Sequence, residues 1–240
     1  MTTFEFSRSA SQTVSSTHSA SRLTEAHPHE REGTRRALNV IVATIGLVLT
    51  APLMVVIAIA IKLSSPGPVF YRQLRVGLDK RTSLGGNHRR RVDLGGKPFM
   101  LYKFRTMRPT RPGEAAQVWC GENDPRITSI GRFLRRTRLD ELPQLVNVLQ
   151  GHMNIVGPRP EQPEIFQNLR SEVASYQRRQ QVRPGITGHA QINLAYDSCI
   201  DDVRKKVAHD LEYIERQSFL EDLRIMALTA PVMVFRKGSR

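Results

Sequence analysis

The sequence predicts an α+β fold, mostly helical: an N-terminal apolar helix-hairpin, then a compact domain with one small β-hairpin and several amphipathic helices. Three observations predict it. From Ala37 to Ile61 no charged residue interrupts about 25 positions. Two short runs of strand-forming residues follow, one from Val69 to Val76 and one from Phe99 to Thr106. Beyond them, apolar residues recur at helical spacing as far as Phe235.

Residues 1–30 are rich in Ser, Thr, Ala and His and have no apolar period. They predict a disordered tail. The tail lacks the apolar stretch and cleavage site of a signal peptide.

Residues 34–63 carry the apolar stretch, "LNVIVATIGLVLTAPLMVVIAIAI" at its heart. It is long enough to cross a bilayer. Pro52 sits in its middle, removes an intrahelical hydrogen bond and favours a kink or break. Both flanks are basic: Arg31, Arg35 and Arg36 before, and Lys62, Arg72, Arg75, Lys80 and Arg81 after. Positive flanks tend to stay cytoplasmic. A hairpin that re-enters the membrane, broken at Pro52, keeps both on one side. A full span is the second reading. A buried core helix is the third, and the segment's apolarity on every face opposes it.

Residues 64–235 then form the expected cytosolic domain. A Pro/Gly turn, "SSPGP", leads into the first strand. The loop between the strands, "SLGGNHRRRVDLGGK", is not a Walker phosphate loop. Arg91 stands where that spacing needs a glycine, and Pro98 where it needs Ser or Thr. Next, Ile127, Ile130, Phe133 and Leu134 share a helical face, and a helix is expected from Leu142 to Gly151. Ile165, Leu169, Val173 and Tyr176 form another stripe, and Val203, Val207, Leu211 and Ile214 a third. Ser198 with Asp201 and Ser218 with Glu221 have capping-box spacing. The last helix becomes almost wholly apolar, as an interfacial helix or a core helix would.

There are 36 Lys+Arg against 22 Asp+Glu, a formal charge of +14. About +15 of it lies between Arg31 and Arg138, and the remainder cancels. A basic collar beside an apolar segment suits an anionic membrane surface. No zinc spacing or aromatic RNA-binding motif favours a nucleic-acid partner instead. The two cysteines, Cys120 and Cys199, show neither metal-ligand spacing nor a disulfide framework, as expected of a reduced compartment.

Within this basic chain, "RRTRLDELPQLVNVLQG" keeps two adjacent acids, Asp140 and Glu141, at the predicted start of a helix. A cap is one role for them, because acids stabilise that end. The other is chemistry, since a helix N-terminus also attracts anions. Lys103 and Arg105 in "YKFRTM", Arg159 in "GPRP" and Arg183 in "VRPGITG" are cations that can converge there. Pro158 and Pro160 stiffen the backbone on either side of Arg159. Arginine binds phosphate through two parallel hydrogen bonds. A carboxylate among such arginines can attack phosphorus and form an acyl phosphate. The two carboxylates are also candidate ligands for magnesium, which would neutralise phosphoryl charge.

The motifs "LDELPQLVNVLQG", "MNIVGPRP", "KFRTM" and "RPGITGHAQIN" together resemble the bacterial sugar transferases, the monotopic polyprenyl-phosphate phosphoglycosyl transferases. The resemblance extends from Thr34 to Phe235. It implies a re-entrant membrane helix broken at a proline, matching Pro52, on the cytoplasmic face of the inner membrane. It implies that Asp140 attacks the sugar-linked phosphate of a UDP-sugar and expels UMP. A polyprenyl phosphate, typically undecaprenyl phosphate, then takes the phosphosugar from the aspartyl intermediate, which starts exopolysaccharide or glycan assembly. Glu141 would position the nucleophile or Mg2+, and Arg159 would hold phosphate with Lys103 and Arg105 as supports. A homodimer is compatible with this picture. A non-catalytic membrane scaffold and a Leloir-type glycosyltransferase are the competing functions. Three positions depart from the family pattern: Arg138 where serine is common, His152 where an acid is common, and His189 where an aromatic is common. The first bears on phosphate contacts and the last on sugar or nucleotide contacts.

Overall fold

The computed structural model describes residues 28–80, 93–109, 124–194 and 199–235. Most of the expected tail, the loop arginines at 89–91, Cys120 and Ser198 lie outside them. Residues 28–30 of the expected tail instead open the first helix.

Helix α1 runs from Pro28 to Ser64 and passes through Pro52 without interruption. Two separate hairpin helices are therefore not what forms. One missing N–H removes a single hydrogen bond, and the surrounding apolar residues keep the rest of the ladder. Thr50 Oγ1 donates to the carbonyl of Gly46 at 2.6 Å, a back-bond that eases bending just before the proline.

Both ends of α1 pack on the same domain. Near its start, Arg35 Nε donates to Asp222 Oδ2 at 2.9 Å, and Arg36 Nη1 donates to the Val148 carbonyl at 2.6 Å. Asn39 Oδ1 accepts from the Ile155 N–H at 2.5 Å. Near its end, Ile57 and Ile61 are buried against Phe104 and Leu134. Between them Ile45, Val48, Leu49, Leu53, Val55 and Val56 are exposed. Among the described residues, Glu32–Ser64 is the one helix long and apolar enough to cross a membrane.

Strands β1 (Phe70–Val76) and β2 (Pro98–Phe104) form the antiparallel hairpin, with Gln73 opposite Leu101. Their bounds fall within two residues of the expected ones. Helix α2 (Ser129–Thr137) is capped by Thr128, whose side chain accepts from the Gly131 N–H at 3.0 Å. Any Cβ at Gly131 would collide with the Thr106 carbonyl, so glycine is what lets α2 lie against the end of β2. A 3-10 turn (Leu139–Glu141) and helix α3 (Gln144–Leu149) follow.

Strands β3 (Asn154–Val156) and β4 (Gly185–Thr187) pair in parallel. Between them lie α4 (Pro163–Glu172) and a 3-10 segment (Tyr176–Gln181). The expected stripe from Ile165 to Tyr176 is thus split between two elements: Val173 and Tyr176 are buried, Ile165 is only partly buried, and Phe166, outside the stripe, is fully buried. A short helix α5 (His189–Asn193) and the pair α6 (Ile200–Arg216) and α7 (Phe219–Phe235) complete the chain. The Ser218 cap forms, its Oγ accepting from the Glu221 N–H at 3.2 Å. The main core joins Ala43 of α1 to Phe99, Leu101, Val148, Ile155, Tyr213 and Ile225, so α1 is part of the domain's packing at its N-terminal end.

Candidate active site

The acidic pair sits on the 3-10 turn between α2 and α3. Arg138, just before it, has φ 56° and ψ 15°, the left-handed region. A non-glycine residue there costs of order 1 kcal/mol or more. It turns the chain sharply out of α2, so that Asp140 and Glu141 face β2.

Asn147 sets the distance to that strand. Its Nδ2 donates to the Met100 carbonyl at 2.7 Å, and its Oδ1 accepts from the Tyr102 N–H at 3.0 Å. The buried amide thereby satisfies the edge of β2 not paired with β1 and fixes α3 against it. Lys103, the next residue, meets the acids: its Nζ lies 2.8 Å from Glu141 Oε1 and 3.9 Å from Asp140 Oδ2.

Arg159 arrives from the segment after β3. Its Nη2 donates to Glu141 Oε1 at 2.7 Å and its Nη1 to Gln191 Oε1 at 3.2 Å. Pro158 and Pro160 on either side are buried. The Pro158 carbonyl accepts from the Gly185 N–H at 3.0 Å, and the Pro160 carbonyl accepts from Arg75 Nη1 at 2.9 Å. Arg179 Nη2 also donates to the Arg159 carbonyl at 3.1 Å. The backbone carrying Arg159 is therefore held from several directions.

Lys103, Asp140, Glu141 and Arg159 are thus brought together from β2, the 3-10 turn and the post-β3 segment. Arg105 and Arg183 are not. Arg105 is buried and donates to the carbonyls of Ser65, Pro66 and Ile61, closing the C-terminal end of α1. Arg183 donates to Gly151 O and pairs with Glu32 Oε1 at 2.6 Å, near the other end of α1. Both arginines fasten the apolar helix to the domain. A pattern of cations in sequence does not reveal which carbonyls fold near them.

Two partners escaped the sequence reading. Gln191 braces Arg159. Arg75 supports the same loop and approaches Glu161 at 3.8 Å, where Lys206 also binds at 2.9 Å. The clue for Arg75 was its place on β1, two residues from Gln73, whose Oε1 accepts from Arg75 Nη2 at 2.6 Å. Gln191 lies inside the quoted "GITGHAQIN", but a neutral amide gives no charge signal.

Electrostatics separates the two acids. Burial pushes the Asp140 carboxyl upward from its ordinary value, only partly countered by Lys103, Arg159 and Arg135. Burial acts the same way on Glu141, but the charges and hydrogen bonds of Arg159 and Lys103 outweigh it and hold Glu141 well below the usual carboxylate range. Glu141 is a fixed anion that orders two cations. Among the described residues Asp140 accepts no hydrogen bond, so its oxygens are available to another group.

Those oxygens and Glu141 Oε2 also make an oxygen donor set of the kind hard divalent cations prefer. Glu141 Oε1 already serves Lys103 and Arg159, while Oε2 takes no hydrogen bond among the described residues. Asp140 and Glu141 are the residues that could hold Mg2+, whose protein ligands are carboxylate oxygens.

The family model described as bacterial sugar transferase matches residues 30–84 and 86–236. The chain is 42% identical over 197 residues to a UDP-glucose:undecaprenyl-phosphate glucose-1-phosphate transferase of Escherichia coli (strain K12), covering 81% of this chain and 39% of that protein. It is 37% identical over 206 residues to a UDP-N-acetylgalactosamine-undecaprenyl-phosphate N-acetylgalactosaminephosphotransferase of Aeromonas hydrophila, covering 86% and 45% respectively. A UDP-glucose:undecaprenyl-phosphate glucose-1-phosphate transferase of Caulobacter vibrioides is 38% identical over 203 residues, covering 83% and 69%. The matched region thus spans less than half the length of the first two relatives and about two thirds of the third.

Proposed function

Because this chain belongs to the bacterial sugar transferase family, we propose that it moves a sugar 1-phosphate from a UDP-sugar to undecaprenyl phosphate. The reading rests on the relatives' reaction and on one observation: a buried carboxylate, Asp140, without a hydrogen-bond partner among the described residues, beside a cation-clamped Glu141.

An Asp140 oxygen attacks the sugar-linked phosphorus. The bond from that phosphorus to the bridging oxygen breaks, and UMP leaves with the electron pair. An oxygen of undecaprenyl phosphate then attacks the same phosphorus, and the Asp140 carboxylate departs unchanged. The product is a polyprenyl-diphosphate sugar, the first lipid-linked unit of a glycan such as an exopolysaccharide. An anion attacking an anion is the electrostatic obstacle. Lys103 and Arg159, held in place by Glu141, supply positive charge where the phosphoryl oxygens would lie. Mg2+ held by the open oxygens of Asp140 and Glu141 would add Lewis-acid charge neutralisation.

Undecaprenyl phosphate stays in the bilayer, since each buried methylene is worth about 0.8 kcal/mol. The dyad must then sit at headgroup depth. Attachment of both ends of α1 to one domain supports a helix that enters the membrane and returns, bending at Pro52, with the domain at the cytoplasmic face. From Asn39 to Ile57 a straight helix measures about 27 Å, close to the bilayer core, so a spanning helix would carry one of these anchors to the far side.

The test is incubation of the purified protein with undecaprenyl phosphate and a panel of UDP-sugars. Lipid-dependent UMP release is expected for one or more donors. UDP release instead, or no release with the folded protein, would overturn the reading.

A further inference from the structure

Away from the dyad, α5, α6 and α7 bring two histidines and two glutamates together. His189 opens α5, His209 and Glu212 lie one turn apart on α6, and Glu221 is in the first turn of α7. Donor atoms of His189, His209 and Glu212 all lie within 4.8 Å of one another. Glu212 Oε2 is the common point, 3.5 Å from His189 Nε2 and 3.8 Å from His209 Nδ1. None of these distances is a hydrogen bond. His189 Nδ1 and His209 Nδ1 are buried and have no hydrogen-bond partner among the described residues, a condition that natural interiors rarely leave unresolved.

We propose that His189 Nε2, His209 Nδ1 and Glu212 Oε2 bind a borderline divalent transition cation, with zinc as the reference ion. Two imidazoles and one carboxylate are a common three-ligand set for zinc, with water in the fourth position. Ligands at about 2.0–2.1 Å in a tetrahedron stand roughly 3.3 Å apart, so the present spacing closes with small side-chain rotations. His209 and Glu212, three residues apart, project from one helical face.

The surroundings match the proposal. Glu221 Oε1 is 3.8 Å from His189 Nδ1, placed to accept its proton and leave Nε2 for the metal. Arg216 takes the other oxygen of Glu212, Oε1, at 2.8 Å, and Arg224 pairs with Glu221 at 3.1 Å. Both arginines are well exposed, so each can stay on the outer side of its carboxylate. A metal here would tie α5, which carries Gln191 and its bond to Arg159, to the α6–α7 pair. The site is independent of the proposed reaction.

Metal-stripped full-length protein without an affinity tag is titrated with Zn2+ against a chromophoric chelator. His189→Ala, His209→Gln and Glu212→Gln are measured alongside, with circular dichroism to confirm folding. Wild type is expected to bind one zinc more than each variant, and zinc is expected to raise its melting temperature but not theirs. Glu221→Gln keeps the site and weakens it about tenfold, as loss of an outer-shell partner does. Mg2+ does not compete. Equal zinc stoichiometry and affinity in wild type and His209→Gln would assign the binding to other histidines, His18, His27, His29, His88 or His152, and overturn the proposal. So would a folded wild type that binds no zinc.

Discussion

Asp140 and Glu141 are adjacent and equally buried, at 8% exposure each, yet Glu141 Oε1 receives both Lys103 and Arg159 within 2.8 Å while Asp140 comes no closer than 3.9 Å to Lys103. One acid is satisfied and the other is left open. A structural cap needs no such division, since either carboxylate would be stabilised by the pairing. The division suits a site in which one anion orders cations and its neighbour reacts.

Asp140→Asn should separate stability from activity. The folded carboxyl titrates above its unfolded value because burial disfavours its charge. Its contribution to stability is therefore present below the unfolded value and lost as pH rises through the folded one, and at pH 7.5 the ionised group is a net cost. The asparagine variant is expected to melt no lower than wild type at that pH. Sugar-phosphate transfer should fall by at least ~10³-fold, as losses of a covalent nucleophile do. A variant that melts lower, or that keeps turning over, contradicts the assignment.

Arg159→Lys keeps the charge but not the fork. Arg159 uses Nη2 on Glu141 and Nη1 on Gln191, two directions that one ammonium cannot serve in the same geometry. The Michaelis constant for the UDP-sugar is expected to rise about tenfold, the equivalent of one charge-assisted bond. Steady-state kinetics with saturating lipid acceptor reads this directly. An unchanged constant would place Arg159 in structure rather than in substrate contact.

Glu161 makes the fold acid-sensitive. Burial would raise its carboxyl, but Lys206, Arg179 and Arg75 depress it to about 2. A depressed acid contributes stability that is complete above its unfolded value near 4.5 and is lost as pH falls through about 2. The contribution at neutral pH is of order 3 kcal/mol. Denaturant midpoints between pH 3 and pH 7 should therefore fall less steeply for Glu161→Gln than for wild type. Parallel curves would show that the Lys206 pair carries no net stability.

What could be read beforehand follows the range of the interaction. The β-hairpin was legible because strand residues and turn residues are neighbours in sequence, and the Ser218 cap because its partner is three residues away. The meeting of the acidic pair with Arg159 and Lys103 was legible as complementary charge. Strands β3 and β4 were not legible as strands. Each is three residues long, too short for an alternating pattern, and pairing between Val156 and Thr187 is non-local. The places of Arg105 and Arg183, away from the acidic pair, were not legible for the same reason. Their acceptors, Ser65, Pro66 and Glu32, are remote in sequence, and only the folded chain brings them near. The bonds that attach α1 to the domain therefore had to come from the structure.

Those attachments make the topology of α1 testable. Arg35 with Asp222, Arg36 with Val148 and Asn39 with Ile155 hold its beginning, while Arg105 with Ser65 and Pro66 and the burial of Ile61 hold its end. Asp222 is buried, and separating it from Arg35 would leave a charge without its partner, at about 3–5 kcal/mol. Both ends should then remain on one side of the membrane. In a variant with Cys120 and Cys199 replaced by serine, single cysteines at the exposed positions Thr34 and Leu63 are expected to react with an impermeant maleimide in inverted vesicles. Neither should react in intact spheroplasts. Replacement of Pro52 by alanine restores the missing N–H and favours a straight helix. If a bend at Pro52 is what returns the chain, that variant should lose transfer activity or expose residue 34 on the opposite side. Labelling of positions 34 and 63 from opposite sides in the parent would show a spanning helix, and the anchors at one end would have to be broken in the membrane.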